Sequence, residues 1–187
     1  MLQTLVQPLT LENFLQLPET EPGTEFIDGQ IIQKPMPQGK HSAIQMELGT
    51  AINAVVRSPK IARAFPELRC TFSGKSIIPD LAVFAWDRIP REENGSVANA
   101  FAIAPDWVIE ILSPDQTQTK TIKKILSCLK NGTQMAWLID PEEQVVFVYV
   151  ADQEVTFYDE PKSILPVPTF AQDLQLTVQQ LFAWLSD

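Results

Sequence analysis

Two carboxylates stand in this chain where apolar side chains would pack better. Asp80 interrupts the run Ser76-Ile77-Ile78-Pro79-Asp80-Leu81-Ala82-Val83-Phe84, and Glu110 interrupts Trp107-Val108-Ile109-Glu110-Ile111-Leu112-Ser113-Pro114. Both runs read as short strands bound for a core. A carboxylate in such a place is costly unless a positive group meets it. Two of them on neighbouring strands most economically share a divalent cation, which makes the pair a candidate metal site. The plain alternative is that each carboxylate caps a strand end or pairs with a lysine.

Other chemistries find little to work with. His41 is the only histidine, and no Gly-x-Ser-x-Gly elbow accompanies it, so a histidine-based acyl-transfer triad lacks its parts. The seven glycines form no Walker or Rossmann phosphate loop. Cys70 and Cys128 have no metal-ligand spacing, which leaves zinc without ligands and makes a reduced, cytoplasmic setting the expectation. Met1-Leu2-Gln3-Thr4-Leu5 lacks the basic start of a signal peptide. No uninterrupted apolar stretch approaches the roughly 18 residues of a membrane span.

The elements that must hold the carboxylates follow from pattern. Thr10 caps a short helix that stops before Pro18. Glu25 to Ile32 reads as a hairpin turning at Asp28-Gly29. A helix over about Lys40 to Arg57 carries Ile44, Leu48, Ile52, Val55 and Val56 at helical spacing. Strands are expected near Leu68 to Ser73, Ile77 to Ala85 and Asp106 to Leu112, with the polar stretch Asp87 to Asn99 as a long loop that could cover substrate. A helix from about Gln116 to Asn131 ends at Gly132. Strands at Met135 to Asp140, Val145 to Val150 and Val155 to Tyr158 come next, and an amphipathic helix over Thr177 to Leu185 closes the chain. The length of 187 residues, 45% apolar, suits one domain spanning 1–187, of mixed α/β (α+β) class.

The net charge of −9 hides a pattern. From Lys34 to Lys75 there are seven basic residues against two acids, and from Gln116 to Gln134 four lysines and no acid. This is either ordinary surface scatter or a basic face able to engage a polyanion.

With Glu25-Phe26-Ile27-Asp28-Gly29, His41, Pro79-Asp80-Leu81-Ala82-Val83, Val108-Ile109-Glu110-Ile111-Leu112-Ser113-Pro114, Lys124, and Gly132 leading to Trp137-Leu138-Ile139-Asp140-Pro141 in this order, the chain resembles the PD-(D/E)XK, restriction-endonuclease-like superfamily. More closely, it is similar to a cyanobacteria-rich family of endonucleases first known as a domain of unknown function. The motifs cover about residues 10 to 150.

The resemblance implies a central mixed sheet flanked by helices, and Mg²⁺- or Mn²⁺-dependent hydrolysis of DNA phosphodiester bonds. It makes Asp80 and Glu110 the anionic metal ligands, with the backbone carbonyl of Ile111 as a further oxygen. The superfamily's usual lysine, two residues after the strand acid, is here Leu112, and Lys124 on the following helix takes the matching position in the closer family. Helical spacing sets Lys124 opposite a stripe of Ile122, Ile125, Leu126 and Leu129, so it is either catalytic on a polar face that borders the cleft or a solvated surface lysine, with Lys123 as the fallback. Glu25 and His41 match family positions that border the site. His41 would contact phosphate or cap the long helix, and Glu47 is a third carboxylate or part of a solvated face. The family's acidic residue is replaced by Lys120 and its aromatic one by Cys128. A fold that has kept its shape and lost catalysis, serving as a nucleic-acid-binding or interaction module, is the alternative. Exposed edges and the last helix are compatible with a homodimer.

Overall fold

A computed structural model describes residues 9–114 and 117–186. The expected start of a helix at Gln116, and the leader reading of Met1 to Leu5, lie outside the described residues.

Thr10 accepts a hydrogen bond from the Asn13 amide and opens α1 (Leu11–Leu15). β1 (Thr24–Ile27) and β2 (Gln30–Gln33) form the expected hairpin. Asp28 and Gly29 both hold positive φ, 52° and 78°, as a two-residue turn between right-twisted strands requires. α2 (Gly39–Val56) buries His41, Ile44, Leu48, Ile52 and Val56 along one side.

β3 (Ala62–Pro66), which the sequence reading passes over, pairs antiparallel with β6 (Leu81–Ala85). β4 (Cys70–Phe72) and β5 (Lys75–Ile77) make a second hairpin. The single strand expected over Ile77 to Ala85 is therefore two strands in two sheets. Pro79 lacks the amide a ladder needs, so the chain leaves the small sheet β2-β1-β5-β4 and enters the large one at Pro79-Asp80. Asp80 occupies that joint.

β7 (Trp107–Ile111), α3 (Gln118–Leu129) and β8 (Met135–Asp140) form a crossover unit, and β7–β8 is the parallel pair of the large sheet. Gly132, at φ +98°, follows the helix end as expected. β9 (Val145–Val150), β10 (Thr156–Tyr158) and α4 (Val178–Ala183) complete the order β10-β9-β8-β7-β6-β3 and the layers around it.

The mixed sheet buries both faces. On one, α2 and α4 pack over Leu81, Val83, Trp107, Ile109, Ile111, Trp137 and Ile139. On the other, α3 and the small sheet cover Ala82, Phe84, Val108, Ala136 and Leu138. Alternation along β7 thus sends Glu110 to the α3 side. The Asp87 to Asn99 stretch folds on itself through an Arg91–Val97 bridge, with Arg91 stacked 5.0 Å over the Trp86 ring, and lines neither cleft beside the carboxylates. No described helix is long and apolar enough to cross a membrane.

Candidate active site

Leu81 pairs with Ile109 across the β6–β7 ladder, so one step further Asp80 lies opposite Glu110. Asp80 is held from three sides. Its Oδ2 accepts the Ile111 amide at 2.7 Å and lies 3.1 Å from His41 Nε2, while its Oδ1 meets Lys34 Nζ at 2.8 Å. Glu110 Oε2 meets Lys124 Nζ at 2.8 Å as an ion pair. The same ammonium donates to Glu25 Oε1 at 2.9 Å, which also accepts the Ile78 amide at 2.7 Å. Glu25, His41, Asp80, Glu110 and Lys124 are all buried. The structure therefore gathers these five sequence-derived residues into one network.

Lys124 corrects the helix reading. The buried face of α3 is Thr121, Lys124, Ile125 and Cys128, whereas Leu126 is exposed and Ile122 and Leu129 are half-buried. Burying Leu126 would gain an apolar contact, but leaving Glu25 and Glu110 in the interior without a cation costs far more. The acids decide which face turns inward, and apolarity alone misjudges it. Lys123 is exposed and contributes nothing to the site, as is Glu47. His41 is no cap: it lies inside the first turn of α2, whose N-cap is Gln38, and grips Asp80 instead. Ile111 enters the network through its amide.

Four participants escape the sequence reading. Lys34, just past β2, donates to Glu67 Oε2 at 2.7 Å and Ile78 O at 3.0 Å as well as to Asp80. Gln45 on α2 bridges Glu67 Oε1 and the Asp80 carbonyl, at 3.0 and 2.8 Å. Thr121 presents a buried hydroxyl that has no partner among the described residues. Two clefts meet at Lys34. One of about 350 Å³ is lined by Glu21, Pro22, His41, Gln45, Glu67 and Asp80, and one of about 280 Å³ by Glu25, Lys120, Thr121 and Lys124.

The charges do not balance. Three buried carboxylates face two buried ammonium groups. Burial alone would raise the Asp80 carboxyl, but Lys34, His41 and Lys124 outweigh it and hold Asp80 well below the usual carboxylate range. Burial would lower Lys124 and Lys34, yet the surrounding acids keep both raised and cationic. The deficit falls on Glu110. Burial, with Asp80 and Glu25 adding to it against Lys124, pushes that carboxyl up to about 8.

A hard divalent cation fits this deficit. Glu110 Oε1 is buried and has no hydrogen-bond partner among the described residues. No group of three or more His, Cys, Asp or Glu side chains converges as a metal cage among them. Two carboxylates plus backbone, water and substrate oxygens is the donor set of Mg²⁺ or Mn²⁺, not of zinc.

The matching family model, Uma2, described as "Putative restriction endonuclease", spans residues 11–179. The chain belongs to the Uma2 family. The chain is also similar to a solved structure, the crystal structure of a "putative nuclease belonging to DUF820" from Anabaena variabilis ATCC 29413. It is 65% identical, covers 95% of this chain and 99% of its own, and superposes with a TM-score of 0.94. No curated protein matches the chain. The Uma2 assignment agrees with the restriction-endonuclease-like architecture, and as a family it points to nuclease-like function.

Proposed function

We propose that this chain is a divalent-metal-dependent endonuclease that hydrolyses DNA phosphodiester bonds, with Mg²⁺ or Mn²⁺ held by Asp80, Glu110 and the carbonyl of Ile111. Glu110 carries the reading: a wholly buried carboxylate opposite Asp80, with one oxygen unpartnered and too little positive charge around it. When bound, the metal would polarise the phosphate and acidify an attacking water.

The protein's own groups supply the rest. Ile111 N–H and His41 aim Asp80. Glu25, itself fixed by the Ile78 amide, holds Lys124 beside Glu110, where a permanent positive charge stabilises developing negative charge on phosphoryl oxygens. Thr121 and Lys120 line the same cleft and offer donors to a phosphate.

Surface charge supports a polyanionic substrate. Of the seven basic residues from Lys34 to Lys75, four are taken by acids: Lys34 by Asp80 and Glu67, Lys40 by Glu142, Arg69 by Glu19, and Lys75 by Asp28. Arg57, Lys60 and Arg63 have no ion pair among the described residues, and the charges acting on Arg63 are Arg57 and Arg91, both of its own sign.

The test is cleavage of plasmid DNA by purified protein. Cutting is expected with Mg²⁺ or Mn²⁺, absent with a chelator, and abolished in Asp80→Ala. Persistent cutting by the Asp80→Ala, Glu110→Ala double variant overturns the proposal. One observation favours a second reading, a nucleic-acid-binding module without catalysis: both Asp80 oxygens already have partners. DNA binding by folded protein that never cuts, with any divalent ion, would select it.

A further inference from the structure

Lys34 is where the proposed metal site contradicts itself. Its stem leaves β2 at the junction of the two clefts, its amide donates to Gly23 O at 3.0 Å, and Pro35 follows directly. Its side chain is 9% exposed. The ammonium spends its three protons on three oxygens: Glu67 Oε2 at 2.7 Å, Asp80 Oδ1 at 2.8 Å and Ile78 O at 3.0 Å. Two carboxylate oxygens and a carbonyl are also the donors a hard cation prefers.

The partners are unequal. Asp80 is 2% exposed and locked by Ile111 and His41, whereas Glu67 is 44% exposed. Lys34 can therefore give up Asp80 and stay paired with Glu67 at the mouth of the cleft. Asp80 has no such freedom and needs a cation at all times.

We propose that Lys34 is the built-in counter-cation of this site, filling an oxygen cage on Asp80 in the metal-free protein and surrendering Asp80 Oδ1 when a divalent ion binds. The inference rests on the metal reading of Asp80 and Glu110. It makes Lys34 a positioning residue: it occupies the oxygens around Asp80 while no metal is present, and it sets how tightly metal is held.

The measurement is Mn²⁺ binding by titration calorimetry on chelator-stripped, folded protein, without DNA. Wild type should bind Mn²⁺. Lys34→Met removes the competitor, so it should bind at least about tenfold tighter. Lys34→Arg keeps the charge and should return affinity toward wild type. If Lys34→Met does not fold, Lys34→Gln, which keeps one donor group for Asp80, should shift affinity in the same direction. Wild-type binding with unchanged or weaker binding in the neutral variants overturns the role of Lys34 and leaves the metal reading standing. Binding only in the neutral variants upholds Lys34 as counter-cation and overturns metal use by the natural protein. No binding in any of them overturns both.

Discussion

Glu110 holds a proton in the fold that it releases early in the unfolded chain, and this has a sign. Its carboxyl sits at about 8 against an ordinary 4.5, so between those values the metal-free native state binds more protons than the unfolded one. Stability therefore falls as pH rises from about 4.5 to 8. Asp80, depressed, has given its full contribution above its ordinary 3.8, and Lys124, raised, keeps its own up to its ordinary 10.5, so neither bends the curve in this window. Denaturant unfolding in chelator at stepped pH should show the fall in wild type and a flatter profile in Glu110→Gln. A rise would reverse the assignment. Lys124 has a larger structural share. Lys124→Met leaves Glu25 buried without its cation and takes the polar partner from Glu110, and should destabilise the protein by roughly 3–5 kcal/mol, measurable by the same unfolding, whereas Lys123→Met on the exposed side should change little.

The elements explain which parts of the site were legible. The hairpin at Asp28-Gly29, the long helix α2 and the strand–helix–strand order of β7, α3 and β8 follow from turn chemistry and apolar period, and each is present; Glu110 lies within β7 as read, whereas Asp80 sits just outside β6, at the joint between the two sheets. Two features were not readable that way. The break at Pro79 splits one apolar run between two sheets, which local pattern cannot distinguish from one long strand. The inward face of α3 is set by acids contributed from β1 and β7, more than ten residues away in sequence, and no helical count includes them. Lys34 shows in the sequence only as the first of the seven basic residues up to Lys75 and as a residue before a proline in a hairpin tail, neither of which places it beside Asp80. The corrected face of α3 makes a prediction: Ile125→Ala should cost roughly 2–5 kcal/mol, and Leu126→Ala less than about 1, by chemical denaturation. Equal costs would restore the original stripe.

Across the molecule, a chain of net charge −9 keeps Arg57 and Arg63, which have no ion pair among the described residues, together around the α2–β3 connection. If these meet phosphates, DNA affinity should fall linearly with salt on logarithmic axes, and Arg57→Gln with Arg63→Gln should reduce that slope by about 2. A flat salt response removes the basic face from the account. The central claim is narrower: Asp80 and Glu110 share a divalent ion. Anomalous diffraction from crystals soaked in Mn²⁺ tests it directly. The account predicts a manganese peak within coordination distance of carboxylate oxygens from both residues, and its loss in Asp80→Ala. Manganese absent between them in wild-type crystals, or bound elsewhere with Asp80 still paired to Lys34, would contradict it.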